Sequence, residues 1–87
     1  MDDRRKKLKF RAWRRGFREI DLILGPFADQ NLRGMDETGL AEFEALLDAP
    51  DQEVFDWILQ RRVAPGEFQT PILRAIQEFR LNLPGQT

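Results

Sequence analysis

Residues 10–27 read FRAWRRGFREIDLILGPF, and the spacing of their apolar side chains decides the fold. Phe10, Trp13, Phe17, Ile20, Leu24 and Phe27 follow one another at intervals of 3, 4, 3, 4 and 3. That rhythm holds one stripe toward a core and leaves Arg and Lys on the other faces, as in an amphipathic helix. Two glycines punctuate it. Gly16 weakens a helix by about 1 kcal/mol relative to Ala, so the spacing predicts either a break into two helices or a close backbone approach there. Gly25-Pro26 is a second stop, with Phe27-Ala28-Asp29 as one further turn.

Downstream, residues 30–36 read as a loop. A helix follows over about residues 37–47, with Asp36 as its N-cap, Leu40, Phe43 and Leu46/Leu47 turned inward, and Gly39 a mild weakness. Asp48-Ala49-Pro50-Asp51 ends that helix and begins the next. Pro50 suits a first-turn position, and Asp51 and Glu53 complement the helix N-terminus. Val54, Phe55, Trp57, Ile58 and Leu59 make this helix apolar around much of its circumference, which predicts a central place for it. Val63-Ala64-Pro65-Gly66 reads as a turn and Thr70-Pro71 as a cap with its first helical residue. Ile72, Ala75/Ile76, Phe79 and Leu83 then keep helical spacing until Pro84-Gly85. Strand alternation and internal repeats are absent. The expectation is an all-α protein, a compact small bundle of four to five short helices in one domain over residues 1–87, with 1–7 and 84–87 frayed or flexible.

The 87 residues are 41 % hydrophobic and 33 % charged, a globular balance. Cys, His and Tyr are absent, which excludes disulfides, thiol nucleophiles, zinc-finger ligand sets and Ser-His-Asp triads. Glu19, Asp21, Asp36, Glu37, Asp51, Glu53 and Asp56 are the remaining acid–base candidates. Paired carboxylates need a cleft and a separation of roughly 5–9.5 Å, so in a bundle this small these read as helix caps and solvated faces. No EF-hand loop, P-loop or nucleotide fingerprint occurs. The sequence therefore predicts no catalytic residues, no metal site and no intrinsic enzyme activity.

Charge is divided along the chain. Residues 1–19 hold nine basic side chains against three acids, and the remainder holds five against twelve, so a +6 segment precedes a −7 body. No apolar run approaches the roughly 18–20 residues of a membrane span. No apolar signal core follows the basic start, and Asp2 and Asp3 fit poorly with an organelle presequence. A cytoplasmic monomer is the expectation. Trp13, Phe43, Phe55, Trp57 and Phe79 read as core, with Phe17 between core and interface.

Two function classes follow. The basic segment, interleaved with Phe10, Trp13 and Phe17, has the ingredients of a nucleic-acid binder. Against this, those aromatics share a stripe with aliphatic residues, and the acidic body repels a polyanion. The second class is a protein-binding module centred on Arg14, Arg15, Gly16, Phe17, Arg18, Glu19 and Asp21. Arg15 and Glu19 stand at i,i+4 with the acid C-terminal to the base, the weaker orientation for a helix pair. Gly16 leaves bare backbone between a guanidinium fork and a carboxylate, which suits close docking against another chain. The structural alternative is an exposed ion pair worth under about 1 kcal/mol beside a helix-breaking glycine.

The Arg15-Gly16-x-x-Glu19 motif, within the run Arg14-Arg15-Gly16-Phe17-Arg18-Glu19-Ile20-Asp21-Leu22-Ile23-Leu24, resembles the succinate dehydrogenase assembly factor 2 family, SdhE in bacteria and Sdh5 in mitochondria. The likeness continues through Phe27-Ala28-Asp29, the helix of Leu40 to Leu47, and Asp51 with Phe55-Asp56-Trp57. It covers about residues 8–62, and the last helix fits in position and pattern only. The resemblance implies a five-helix bundle that binds the flavoprotein subunit of succinate dehydrogenase, and in some bacteria of fumarate reductase, and promotes covalent attachment of FAD to a histidine of that subunit. FAD is then the partner's cofactor, with none bound permanently here, and the compartment is the bacterial cytoplasm or the mitochondrial matrix. The family's functional motif falls on Arg15, Gly16 and Glu19. Phe17 stands where many members have Met, and Gln60 where some have glycine. On this reading Arg15 and Glu19 carry docking, while Lys6 and Lys7 carry little.

Overall fold

In the computed structural model, which describes residues 2–83, the chain is helical in five segments: α1 (Asp3–Ala12), α2 (Arg18–Asn31), α3 (Glu37–Asp48), α4 (Asp51–Ile58) and α5 (Pro71–Leu81). Two short 3-10 turns, Leu32–Gly34 and Gly66–Phe68, lie between them. The chain enters α1 through Asp2, whose carboxylate accepts the backbone N–H of Arg5 at 2.8 Å. That hydrogen bond holds the Asp2 carboxyl below its ordinary value. The cap is therefore fully present above the usual carboxylate range and is lost as pH falls through the lowered value.

α1 stops at Trp13, and residues 13–17 are not helical. Phe17 has extended backbone, with φ −155° and ψ 158°, and leads directly into α2. The stripe that began at Phe10 is thus two stripes on two helices. α1 turns Leu8 and Ala12 inward and leaves Phe10 59 % exposed, contrary to the expectation that Phe10 shares the core stripe. From Ile20 onward the expectation holds, with Ile20, Leu24 and Phe27 buried.

Gly25-Pro26 does not stop α2, which continues to Asn31. Gly25 serves packing. A Cβ there would collide with the indole ring of Trp13, which lies flat against the bare backbone. Ile23, Leu24, Phe27 and Ala28 are buried on both sides of Pro26, and that burial offsets the roughly 3 kcal/mol a helix-interior proline costs. The predicted loop over 30–36 is also largely helical. α2 covers its first two residues, and in the 3-10 turn and after it Leu32 and Met35 are buried. Arg5 of α1 reaches over to donate to the carbonyls of Leu32 at 2.8 Å and Met35 at 2.5 Å, which supplies partners for the end of the helix.

α3 matches its expected start and inner face, with Asp36 accepting the Gly39 N–H at 2.8 Å. Pro50 is the N-cap of α4 and lies just outside its first turn. α4 packs against α5, with Phe55 and Leu59 only partly covered, so it is peripheral; α5 is the element that meets α2, α3 and α4. Beyond α4 the chain reverses through Gln60, whose φ of 60° lies in the left-handed region that favours glycine. The 3-10 turn Gly66–Phe68 went unread in the sequence; it lays Phe68 on Trp57 with ring centroids 4.9 Å apart. Thr70 caps α5 by accepting the Leu73 N–H at 3.2 Å, and the inward residues are Leu73 and Ile76, with Ala75 exposed. Phe27 joins the layers, meeting Phe43 at 5.8 Å and Phe79 at 5.5 Å.

The segment 1–7 expected to fray is helical from Asp3 and tied down: Arg4 pairs with Glu37 and, at 3.4 Å, with Glu44 of α3. Lys9 pairs with Asp29 at 3.4 Å and Arg11 with Asp48 at 2.6 Å. The basic first helix is fastened to the acidic body by these ion pairs. Residues 84–87, also expected to fray, lie outside the described residues. Among the described residues, no helix is long and apolar enough to cross a membrane.

Gly25→Ala is expected to lower stability by about 1–3 kcal/mol through overpacking against Trp13, a fall in Tm of several degrees. Helix propensity alone would raise it by about 1 kcal/mol, so the sign of the shift decides the point. Gln60→Gly is expected to do the reverse and raise stability by about 0.5–1 kcal/mol in urea unfolding.

Candidate functional site

The non-helical residues 13–17 form the connection between α1 and α2, and Arg15 determines its shape. The Arg15 guanidinium points inward, with its side chain 11 % exposed. Its Nε donates to Asp51 Oδ1 at 2.7 Å, and its Nη2 lies 2.5 Å from the same oxygen and 2.6 Å from the Leu47 carbonyl. Leu47 lies in the last turn of α3 and Asp51 in the first turn of α4. One cation thus satisfies an open carbonyl at the negative end of α3 while pairing with the acid that begins α4. The backbone is fixed by carboxylates too. Asp51 Oδ2 accepts the Gly16 N–H at 2.6 Å, and Asp21 Oδ1 accepts the Arg15 N–H at 2.7 Å.

This geometry corrects the reading of Arg15 and Glu19 as an i,i+4 pair. The helix is broken between them, so residue spacing no longer sets their separation, and Asp51 captures the guanidinium instead. Glu19 is exposed in the first turn of α2 with no ion-pair partner among the described residues. Both expectations for Gly16 are realised. The helix breaks there, and a Cβ on Gly16 would lie 2.7 Å from Asp51 Oδ2, so the backbone approaches the carboxylate closely.

The remaining candidates sort by depth. Arg14 and Arg18 are exposed, and the Arg14 guanidinium stacks 4.2 Å above the Phe10 ring. Phe17 is half-buried, edge-on to Phe55 at 5.0 Å and 84°, and Arg61 lies 5.5 Å from the other ring of that pair. Arg14, Gly16, Arg18 and Glu19 therefore reach the surface and Phe17 lies half-buried, whereas Arg15 and Asp21 brace the connection from within. Asp51 is the residue that sequence reasoning missed. In the sequence it reads as a helix-dipole acid and one of several carboxylates, because no linear spacing joins residue 51 to residue 15. What is exposed is bare peptide backbone at Gly16, two cations and one carboxylate, beside a half-buried ring, a set suited to pairing with complementary groups. Among the described residues, no three acidic side chains converge as a metal site would require.

Fold and site together define the class: a small five-helix bundle with a polar connection braced from behind and open in front. The chain belongs to the Sdh5 family, described as the flavinator of succinate dehydrogenase, whose family model matches residues 6–80. It is 40 % identical over 80 residues to the mitochondrial succinate dehydrogenase assembly factor 2 of Dictyostelium discoideum, covering 92 % of this chain and 57 % of that protein. It is 41 % identical over 75 residues to the FAD assembly factor SdhE of Acetobacter pasteurianus, covering 86 % of this chain and 69 % of the relative. A Cryptococcus neoformans assembly factor 2 is 37 % identical over 79 residues, 90 % of this chain and 45 % of its own length. The chain thus spans about half the length of the eukaryotic relatives and about two thirds of the bacterial one.

Asp51→Ala leaves Arg15 and the Gly16 N–H without their acceptor. The variant is expected to lose about 2–3 kcal/mol of stability, less than a fully buried pair because both side chains retain some solvent contact. Glu19→Ala is expected to change stability by no more than about 0.5 kcal/mol. Urea midpoints of the two variants check this, and equal losses would contradict the inward placement of Arg15.

Proposed function

We propose that this protein is an assembly factor that docks on the flavoprotein subunit of succinate dehydrogenase and promotes its covalent flavinylation with FAD. Membership in the flavinator family and the functions for which the relatives are named support the reading. The structural observation that carries it is the connection in which Gly16 and Glu19 are presented while Arg15 and Asp51 hold them from behind. In this proposal Gly16 lets the partner's surface approach the backbone, Glu19 and Arg18 pair with its charges, and Phe17 contributes an apolar edge. Arg15 and Asp21 position the loop and make no contact with the partner.

Docking here acts on the partner's conformational equilibrium. A difference in affinity of about 2.7 kcal/mol between two conformers raises the favoured one a hundredfold relative to the other. FAD supplies the chemistry of its own attachment within the partner. This chain's residues bind and orient, as a monomer against one flavoprotein subunit. The proposed compartment is the one in which that subunit folds, the cytoplasm of a bacterium or the mitochondrial matrix. The same surface is proposed to serve the related subunit of fumarate reductase. The nucleic-acid reading gains no observation from the fold. Arg4, Arg5, Lys9, Arg11 and Arg15, five of the nine basic residues before position 20, are engaged in internal ion pairs.

The test is coexpression with a flavoprotein subunit, with covalent flavin read by fluorescence in a denaturing gel. Wild-type protein is expected to raise the signal. Glu19→Ala is expected to lower it roughly tenfold, equivalent to about 1.4 kcal/mol of lost docking, with its helical circular dichroism intact. Equal covalent flavin with wild type, with Gly16→Arg and with no factor contradicts the proposal.

A further inference from the structure

Folding redistributes the positive charge of the first helix. Arg4, Arg5, Lys9, Arg11 and Arg15 take acidic partners. Lys6 and Arg14 are exposed and have no acidic partner among the described residues. These two cations stand beside one groove of about 480 Å³, lined by Lys6, Lys9, Phe10, Trp13 and Arg14. Phe10 is 59 % exposed in it, far more than an aromatic ring needed for the core. Arg14 covers one part of that ring at 4.2 Å. Trp13 is fixed on the inner side, its indole N–H donating to Asp29 at 3.2 Å while Lys9 approaches the same carboxylate at 3.4 Å.

The volume falls within the roughly 300–1,000 Å³ of sites that take a small ligand or a short stretch of chain. The groove shares Trp13 and Arg14 with the connection between α1 and α2. Two uncompensated cations beside an exposed ring call for an occupant that brings carboxylates and one apolar side chain. A nucleic-acid strand fits less well. Its phosphates need a row of free cations, whereas here Arg14 covers the Phe10 ring and Lys9 is already paired with Asp29.

We propose that the groove receives an acidic polypeptide segment of the partner that the Gly16 and Glu19 surface engages. Its carboxylates meet Lys6 and Arg14, and an apolar side chain lies against Phe10 and Trp13. The proposal rests on the docking reading above and extends the interface from the connection along α1. It also departs from the expectation that Lys6 carries little of the docking.

The test titrates this protein onto purified apo-flavoprotein subunit of succinate dehydrogenase at several NaCl concentrations. Lys6→Glu/Arg14→Glu is expected to weaken binding at low salt by roughly tenfold or more and to flatten the salt dependence. The charge-matched control Arg33→Glu/Arg74→Glu, at exposed positions outside the groove, is expected to stay within roughly threefold of wild type. Phe10→Ala is expected to weaken binding while leaving the salt dependence unchanged. Equal losses in both charge-reversed pairs would show a long-range charge effect and overturn the groove, as would wild-type affinity in the Lys6/Arg14 pair. Loss of binding to a single-stranded DNA oligonucleotide, with flavoprotein binding retained, would assign the groove to nucleic acid instead. If wild type itself fails to bind the flavoprotein, the docking reading falls first and this proposal with it.

Discussion

The carboxylate of Asp51 is the interaction on which the connection between α1 and α2 depends. One oxygen takes the Arg15 guanidinium and the other takes the Gly16 N–H, so a single side chain fixes both halves of the connection between α1 and α2. Through Arg15 the same contact reaches the end of α3 at Leu47, and three helix termini meet at one point. A five-residue connection in a domain this small is otherwise a place where conformational freedom collects. Here it is held by charge-assisted hydrogen bonds, which are shorter and stronger than neutral ones. The exposed backbone at Gly16 is thereby preorganised, and less ordering cost falls on binding.

The division of charge has a similar logic. A +6 segment ahead of a −7 body suggests an arm reaching for a polyanion, yet most of that attraction is spent inside the molecule. Arg4, Lys9 and Arg11 lie across α1 from acids on α2 and α3, and Arg5 covers the carbonyls where α2 ends. Surface pairs of this kind are individually worth about 0–1 kcal/mol, so their main effect is on register and orientation. They hold Leu8 and Ala12 toward the core and leave Lys6, Phe10 and Arg14 turned outward.

Much of this was legible in sequence because it was local. Asp36 and Thr70 cap helices by reaching three residues ahead, and Leu40, Phe43 and Leu46 keep helical spacing, so short-range pattern located α3 and the start of α5. The errors arose where tertiary contacts overruled local signals. Gly25-Pro26 reads as a stop until Trp13 is seen lying on Gly25. Phe10 reads as core until the break at Gly16 turns α1 away from the stripe of α2. Val54, Trp57 and Ile58 identify a buried face, but α4 packs chiefly on α5, whereas α5 meets α2, α3 and α4. Gln60 is another case: its left-handed φ, which favours glycine, carries no signal in a glutamine side chain. At the candidate site, the motif marked Gly16 and Glu19, whereas the Arg15 partner lay 36 positions away and only the fold could bring it near.

The central claim is that Arg15 acts through Asp51 and Glu19 acts outward. A double-mutant cycle with Arg15→Ala, Asp51→Ala and the combined variant, read as affinity for the apo-flavoprotein subunit, tests it most directly. The two single losses are expected to be similar and the combined loss no larger than either, a coupling within the roughly 0.5–3 kcal/mol seen for residues in contact. Additive losses would contradict the account, because they would mean that Arg15 meets the partner itself.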